Sequence, residues 1–295
     1  MNLFDQITEQ ALRLAASGVI PGRWFNRTLP TQASLTPAPE MFTLEIVSHC
    51  WKYSEFQLYQ LSSLVNHPPT KLKVVHTVFY AEEDTDTVRV LDFFATQTVE
   101  NVTWNFQALP KEQLFRRAIG RNKAAKATQA DWIWFTDCDV VFHEHALDTL
   151  AEQLVGRQDY LVYPEQMLAT DLLPKDDPLI VAAKAKPRLM ALDLSRFSVR
   201  KFSRATGPIQ ITHGDVARAC GYCASLAAYQ KPAASWAKCY EDRAFRWLLG
   251  TQGVALAIPN VLFIRHAEKG RYTKNSAFSD FRKWVRRVKS EQFNR

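Results

Sequence analysis

Trp132-Ile133-Trp134-Phe135-Thr136-Asp137-Cys138-Asp139-Val140-Val141-Phe142 decides the fold of this chain. A short apolar run of this kind reads as a strand buried on both faces. Asp137 and Asp139 break its end, so both carboxylates sit where the strand leaves the sheet. In an open α/β sheet, ligands bind at the carboxyl ends of strands. Hard oxygen ligands there suit Mg2+ or Mn2+, ions that usually share their shell with substrate phosphates. The plain alternative is a strand that ends in a solvated acidic turn.

Working outward, Leu114, Phe115, Ala118, Ile119, Ala125 and Thr128 fall at helical spacing, with basic residues between them. A basic helix therefore leads into the buried strand. Further upstream, residues 43–50, 72–80 and 102–106 read as strands and residues 55–64 as a helix. Strands alternating with helices mean a mostly parallel sheet with right-handed crossovers. Downstream, residues 160–163, 208–212, 254–258 and 261–264 read as strands. Gly214 opens one helix, and Glu241 opens another that Gly250 stops. Residues 171–206 mix charges and prolines and give no regular pattern.

The run Gly120-Arg121-Asn122, Ala124-Ala125-Lys126-Ala127 and Asp131 through Asp139 resembles the nucleotide-diphospho-sugar glycosyltransferases of GT-A type, most closely glycosyltransferase family 2. Glu241-Asp242 and His266 follow where that family would place them. The resemblance covers about residues 42–268. It implies an α/β fold with a mostly parallel central sheet and flanking helices, a Rossmann-like nucleotide-binding half (residues 41–155) fused to an acceptor half (156–268). Residues 1–40 would form a helix and a proline-containing arm, and residues 269–295 a basic tail. The implied reaction is inverting, metal-dependent transfer of a sugar from a UDP- or GDP-sugar to a hydroxyl of a glycan or lipid-linked acceptor. Bacterial surface glycan or glycolipid synthesis is the expected setting.

Such a transfer needs the leaving diphosphate neutralised, the acceptor hydroxyl deprotonated and the anomeric carbon aligned between them. The resemblance assigns the ion, Mn2+ or Mg2+, to Asp139, Asp137 and His266, neutral imidazole being a competent ligand. Asp242, at a helix start where the dipole favours an anion, is the expected general base; Glu241 would assist it or bind an acceptor hydroxyl. A helix-capping acid is the plain reading of the same position. Ser48 and His49 at the end of the first strand, Asp84 after the second, Arg121 and Asn122, and Arg265 and Arg271 are the expected donor-binding residues. The family more often ends the first strand in Tyr-Asn, so the base identity stays open. Lys269 is a further phosphate-contact candidate.

The chain has 295 residues, 47% of them hydrophobic, enough for one large α/β domain or two fused subdomains. The net charge of +7 suits phosphorylated substrates or anionic lipid. Clustered carboxylates at a strand end argue against nucleic acid, because they repel phosphates unless a metal is present. Phe281, Trp284, Val285 and Val288 share one helical face between basic residues, which fits an anionic membrane surface or a helix docked on the body. No apolar run spans a bilayer and no signal pattern opens the chain, so a cytoplasmic, peripheral enzyme is expected. Five cysteines argue against a disulfide framework; Cys220 and Cys223 with His213 and Cys239 leave open a zinc site or buried thiols. A haloacid dehalogenase-type phosphohydrolase shares the Asp-x-Asp but lacks its Ser/Thr and Lys partners here. A sugar-1-phosphate nucleotidylyltransferase would need a Gly-rich basic loop after the first strand. A non-catalytic anion- or lipid-binding module is the remaining alternative.

Overall fold

The computed structural model describes residues 11–12, 14–16, 20–235 and 240–267. The expected tail at 281–289, most of the expected helix at 2–16, and Arg271, Lys269 and Cys239 lie outside the described residues.

Eleven strands are described: β1 (Thr43–His49), β2 (Lys73–Tyr80), β3 (Val102–Ala108), β4 (Trp132–Phe135), β5 (Val140–Phe142), β6 (Leu161–Pro164), β7 (Gln166–Thr170), β8 (Phe197–Lys201), β9 (Gln210–His213), β10 (Val254–Leu256) and β11 (Val261–Phe263). Seven of them form one sheet in the order β10-β6-β9-β4-β1-β2-β3. The pairs β1–β2, β2–β3, β1–β4 and β6–β10 are parallel, and β9 runs antiparallel between β4 and β6. Trp132, Ile133, Trp134 and Phe135 are wholly buried, as expected of a strand covered on both faces. The sheet crosses both halves of the sequence, because β9 zips directly onto β4.

A second sheet has the order β5-β11-β7-β8. The apolar run therefore does not continue as one strand. It turns at Asp137–Asp139, and Val140–Phe142 joins the smaller sheet. Antiparallel pairing sets Val140 opposite Phe263, and the Ile264 amide donates to the Asp139 carbonyl at 2.9 Å. That register carries His266 back to the Asp137–Asp139 turn.

The helix Ser54–Asn66 braces the turn from beneath. Gln57, Gln60 and Ser63 recur every three residues on its buried face. Gln60 Nε2 donates to the carbonyls of Asp137 (3.0 Å) and Val140 (2.8 Å), while Gln57 donates to Gln60 Oε1. Ser48 Oγ donates to Gln57 at 3.4 Å and lies 3.4 Å from His76 Nε2, so a buried polar chain runs from β2 to the turn. Buried amides in so apolar a setting are retained only when bonded.

The expected basic helix is a short turn, Lys111–Leu114, followed by the helix Arg117–Ala127. Gly120 lets this helix approach β1 closely: a Cβ there would stand 2.2 Å from His49 Nε2 and 2.9 Å from a Phe79 ring carbon. The proline-containing arm at residues 28–40 packs against the body. Leu35 and Ala38 are buried, Tyr160 donates to the Pro30 carbonyl at 2.7 Å, and the Thr36 amide donates to Asp215 at 2.8 Å.

Candidate functional site

The carboxyl ends of β1, β2 and β4 meet at one edge of the sheet, and most of the expected site residues gather there. Asp139 is 6% exposed and His266 3%, with Oδ2 and Nε2 3.5 Å apart. The imidazole is wedged against Phe56 (ring centroids 4.2 Å) and edge-on to Tyr53 (5.2 Å), which fixes its plane. Asp137 turns the other way. Its carboxylate takes a short charge-assisted bond from Arg117 and lies 3.5 Å from Arg121 Nη2. Arg117 and Arg121 are four residues apart on one helix, so both point from the same face.

Among the described residues, no cluster of three or more His, Cys, Asp and Glu side chains forms a metal cage. One carboxylate and one imidazole, held together at a strand end, fit an ion that completes its shell with substrate oxygens and water. Asp137 reaches that role only by leaving its arginines, or it acts as a neighbouring charge.

Arg117 carries a link that the sequence does not announce. Its Nε lies 3.6 Å from Glu241 Oε1, so one guanidinium joins the Asp137 turn to the Glu241–Leu248 helix. Burial works against its charge, but Asp137 and Glu241 prevail and raise its pKa further. Glu241 is 2% exposed, and its other oxygen accepts from the Ala118 amide at 3.2 Å. It thereby satisfies an otherwise orphaned N–H at a helix start. In this arrangement Glu241 holds the two helices together.

Arg121 is wholly buried. It donates to Tyr222 Oη (2.8 Å) and to the carbonyls of Thr136 (3.3 Å) and Gly207 (3.2 Å), with the Tyr222 ring 5.2 Å away. It orients the turn. Asn122 accepts from the Tyr222 amide at 3.1 Å, which places it on the 220–223 loop. Ser48 and His49 are buried. His49 sits at 5.1 Å from Phe79, and burial, aided by Arg121 and Arg117, pushes its pKa well down. A donor reaching this strand end would meet backbone rather than those two side chains. Asp84 accepts from the Lys52 amide (2.5 Å) and from Thr87 Oγ1 (2.7 Å), tying the β1 exit to the β2 exit; Lys52 has φ 57 there. Arg265 donates to the Thr170 carbonyl at 3.4 Å. Cys223 donates to the Glu241 carbonyl at 3.4 Å, and both His213 nitrogens are engaged, with the Asp215 amide and the Thr36 carbonyl.

Asp242 stands beside Glu241 and makes different contacts. Its Oδ2 is 3.5 Å from Arg246 Nη1, its carbonyl accepts from Gln210 at 3.0 Å, and its side chain lines a cavity of about 770 Å³. Gly207, whose carbonyl holds Arg121, also borders Asp242: a Cβ there would lie 3.8 Å from Asp242 Cβ.

Residues 84–178 match the model of glycosyl transferase family 2. Over that stretch, about a third of the chain, the protein is similar to family 2 glycosyltransferases. The matched stretch opens on Asp84 and includes Arg117, Arg121, Asp137 and Asp139; Glu241, Asp242 and His266 lie beyond it and are brought in by the fold. No curated protein matches the chain. Among solved structures, the mannosyltransferase PcManGT from Pyrobaculum calidifontis, in complex with GDP-Man and Mn2+, matches at 16% identity and a TM-score of 0.43, over 91% of this chain and 70% of that one. At that score the likeness is loose, and the assignment stands on the family match and the strand-end geometry. The mostly parallel sheet with flanking helices is the α/β, GT-A-type architecture expected of a glycosyltransferase that uses a nucleotide sugar.

Sequence reasoning missed Arg117, Gln60 and Arg246. Arg117 had a signal in its four-residue spacing from Arg121. Gln60 had one in the polar i, i+3 row of an otherwise apolar helix. Arg246 pairs with Asp242 at i, i+4.

Proposed function

We propose that the protein is a divalent-metal-dependent, inverting glycosyltransferase. It would move a sugar from a nucleoside-diphosphate donor to a hydroxyl acceptor. The observation that carries this reading is the pairing of Asp139 with His266 at the strand ends, next to a helix that presents Asp242 to a cavity. Asp139 and His266 would hold Mn2+ or Mg2+, which when bound supplies positive charge for the departing diphosphate. Arg117 and Arg121 fix the Asp137 turn so that the carboxylates meet the donor without reorganising.

The acceptor oxygen attacks the anomeric carbon and passes its proton to Asp242. The bond between that carbon and the diphosphate oxygen breaks as the new one forms, and the diphosphate leaves with the electron pair. Attack from the face opposite the leaving group inverts the anomeric centre. The donor is a nucleoside-diphosphate sugar, with UDP- and GDP-sugars as the candidates, a reading supported by the family 2 match over residues 84–178. The test is a donor panel assayed with Mn2+ for nucleoside diphosphate release. One donor turning over well above the others, and stopping on chelation, is the expected result. No release from any donor with a folded protein would end the reading.

A further inference from the structure

The cavity beside Asp242 has a charge pattern that a neutral sugar does not require. Its walls come from distant parts of the chain: Ala16, Ile20, Pro21 and Gly22 of the arm, the segment near Arg204, and the helix Glu241–Leu248 with the loop that follows. Arg204, Arg243 and Arg246 all line it, and Asp242 is the one acidic side chain among its lining residues. Tyr240 and Trp247 add aromatic surface of the kind that packs against sugar rings.

Two of the three guanidinium groups are pinned. Arg243 Nε donates to the Ala16 carbonyl at 3.0 Å. Arg246, 5% exposed, donates through Nη1 to the Ala205 carbonyl at 2.6 Å and through Nε to Gln252 Oε1 at 3.1 Å. Trp247 Nε1 donates to the Ile20 carbonyl at 2.6 Å, which holds the arm across the same cavity. These bonds fix the charged groups at the wall before any ligand arrives. Preorganised guanidinium forks are suited to carboxylate or phosphate oxygens, which they bind in pairs. Arg246 is charged and nearly buried, with Asp242 at 3.5 Å as its carboxylate neighbour, and a buried cation gains from further anionic contact.

We propose that this cavity is the acceptor site and that the acceptor is an acidic glycan, one whose sugar carries a carboxylate or phosphate held by Arg204, Arg243 and Arg246 while its hydroxyl lies at Asp242. The inference rests on the glycosyl-transfer reading for the word acceptor; the anion site itself is tested without turnover. The shared chemistry is an oxyanion on a sugar ring, and uronic acids and phosphosugars are its two sources.

The experiment is calorimetric titration of the full chain with methyl β-D-glucuronide, glucose 6-phosphate and neutral methyl β-D-glucoside. It is run on the wild type, Arg204→Gln and Arg243→Gln. The charged probes should bind at least about tenfold more tightly than the neutral one, and each variant should lose about tenfold for the charged probes alone, as expected for one charge-assisted hydrogen bond. Added salt should erode the difference. A stronger response to glucuronide points to uronic acids, and a stronger response to the phosphate points to phosphosugars. Equal binding of charged and neutral probes, no binding of any probe, or a charged preference intact in both variants overturns the proposal. Arg204 is exposed, so its variant keeps the test open if Arg243→Gln does not fold. Titration of the same samples with Mn2+ and UDP or GDP reports separately on the donor reading, and its failure would leave the anion result standing.

Discussion

Replacing Arg117 by Met keeps most of the side-chain volume and removes the charge that joins the two halves of the site. The guanidinium bonds Asp137 and lies 3.6 Å from Glu241, whose carboxylate is 2% exposed and keeps only the Ala118 amide at 3.2 Å once Arg117 is gone. Breaking a buried ion pair by deleting one partner costs about 3–5 kcal/mol. Arg117 itself is 26% exposed and Asp137 retains Arg121, so a cost of about 2–3 kcal/mol is expected here. Most of that is the stranded Glu241 charge. Glu241→Gln in the Arg117→Met background should therefore restore a large share, with a coupling of about 1–2 kcal/mol in a double-mutant cycle. Urea unfolding of the four proteins gives the cycle. Additive effects within about 0.5 kcal/mol would refute the argument that Arg117 and Glu241 act as a unit.

Asp242→Asn keeps shape but cannot take a proton; transfer should fall by about two to four orders of magnitude while titration of nucleoside diphosphate with Mn2+ is unchanged, and full turnover would move the base elsewhere. His76 is wholly buried, and burial lowers its pKa to about 3. The unfolded chain then binds the extra proton below about pH 6.5, so stability present at neutral pH is lost as the pH falls; His76 alone costs about 2 kcal/mol between pH 7 and pH 5. His49 acts in the same direction. Urea unfolding at the two pH values should show that loss, and His76→Asn should lessen it; an unchanged slope would count against a neutral buried His76. Gly120→Ala forces a methyl against His49 and Phe79 and should cost about 1–3 kcal/mol, and an unchanged unfolding midpoint would show that the helix can move away from β1.

The strand β4 was legible because a strand covered on both faces is continuously apolar, and β1 because Leu44, Ile46 and Val47 form a short apolar stretch in it. The helix Glu241–Leu248 was legible because its period is helical and Gly250 stops it. The smaller sheet was not legible. Val140–Phe142 is a three-residue apolar stretch just past the Asp137–Asp139 break, too short to read as a strand by itself, and only pairing with β11, over a hundred residues later, shows that it belongs to another sheet. β8 is an edge strand with Arg200 and Lys201 among its five residues, and such charges read as loop. The helices Thr85–Ala95, Ala146–Leu154 and Pro178–Ala183 were also not assigned from sequence. At the site, Asp139 and His266 were legible as a family pattern, and the structure places them side by side. Asn122 matched the same pattern, yet it bonds the 220–223 loop. The bridge from Asp137 through Arg117 to Glu241 depends on how one helix lies across a sheet, and nothing local in the sequence records that. The arginine-lined cavity is assembled from the arm, the Arg204 segment and the last helix, and is visible only once they meet.

The most direct test of the account is Mn2+ binding in the presence of nucleoside diphosphate, followed by electron paramagnetic resonance on the wild type and on Asp139→Ala, with transfer measured on the same samples. The account predicts that the wild type takes up Mn2+ in a nucleotide-dependent manner. Asp139→Ala should lose both that signal and turnover while its circular dichroism is preserved. Nucleotide-dependent Mn2+ uptake and turnover that persist unchanged in Asp139→Ala would contradict it.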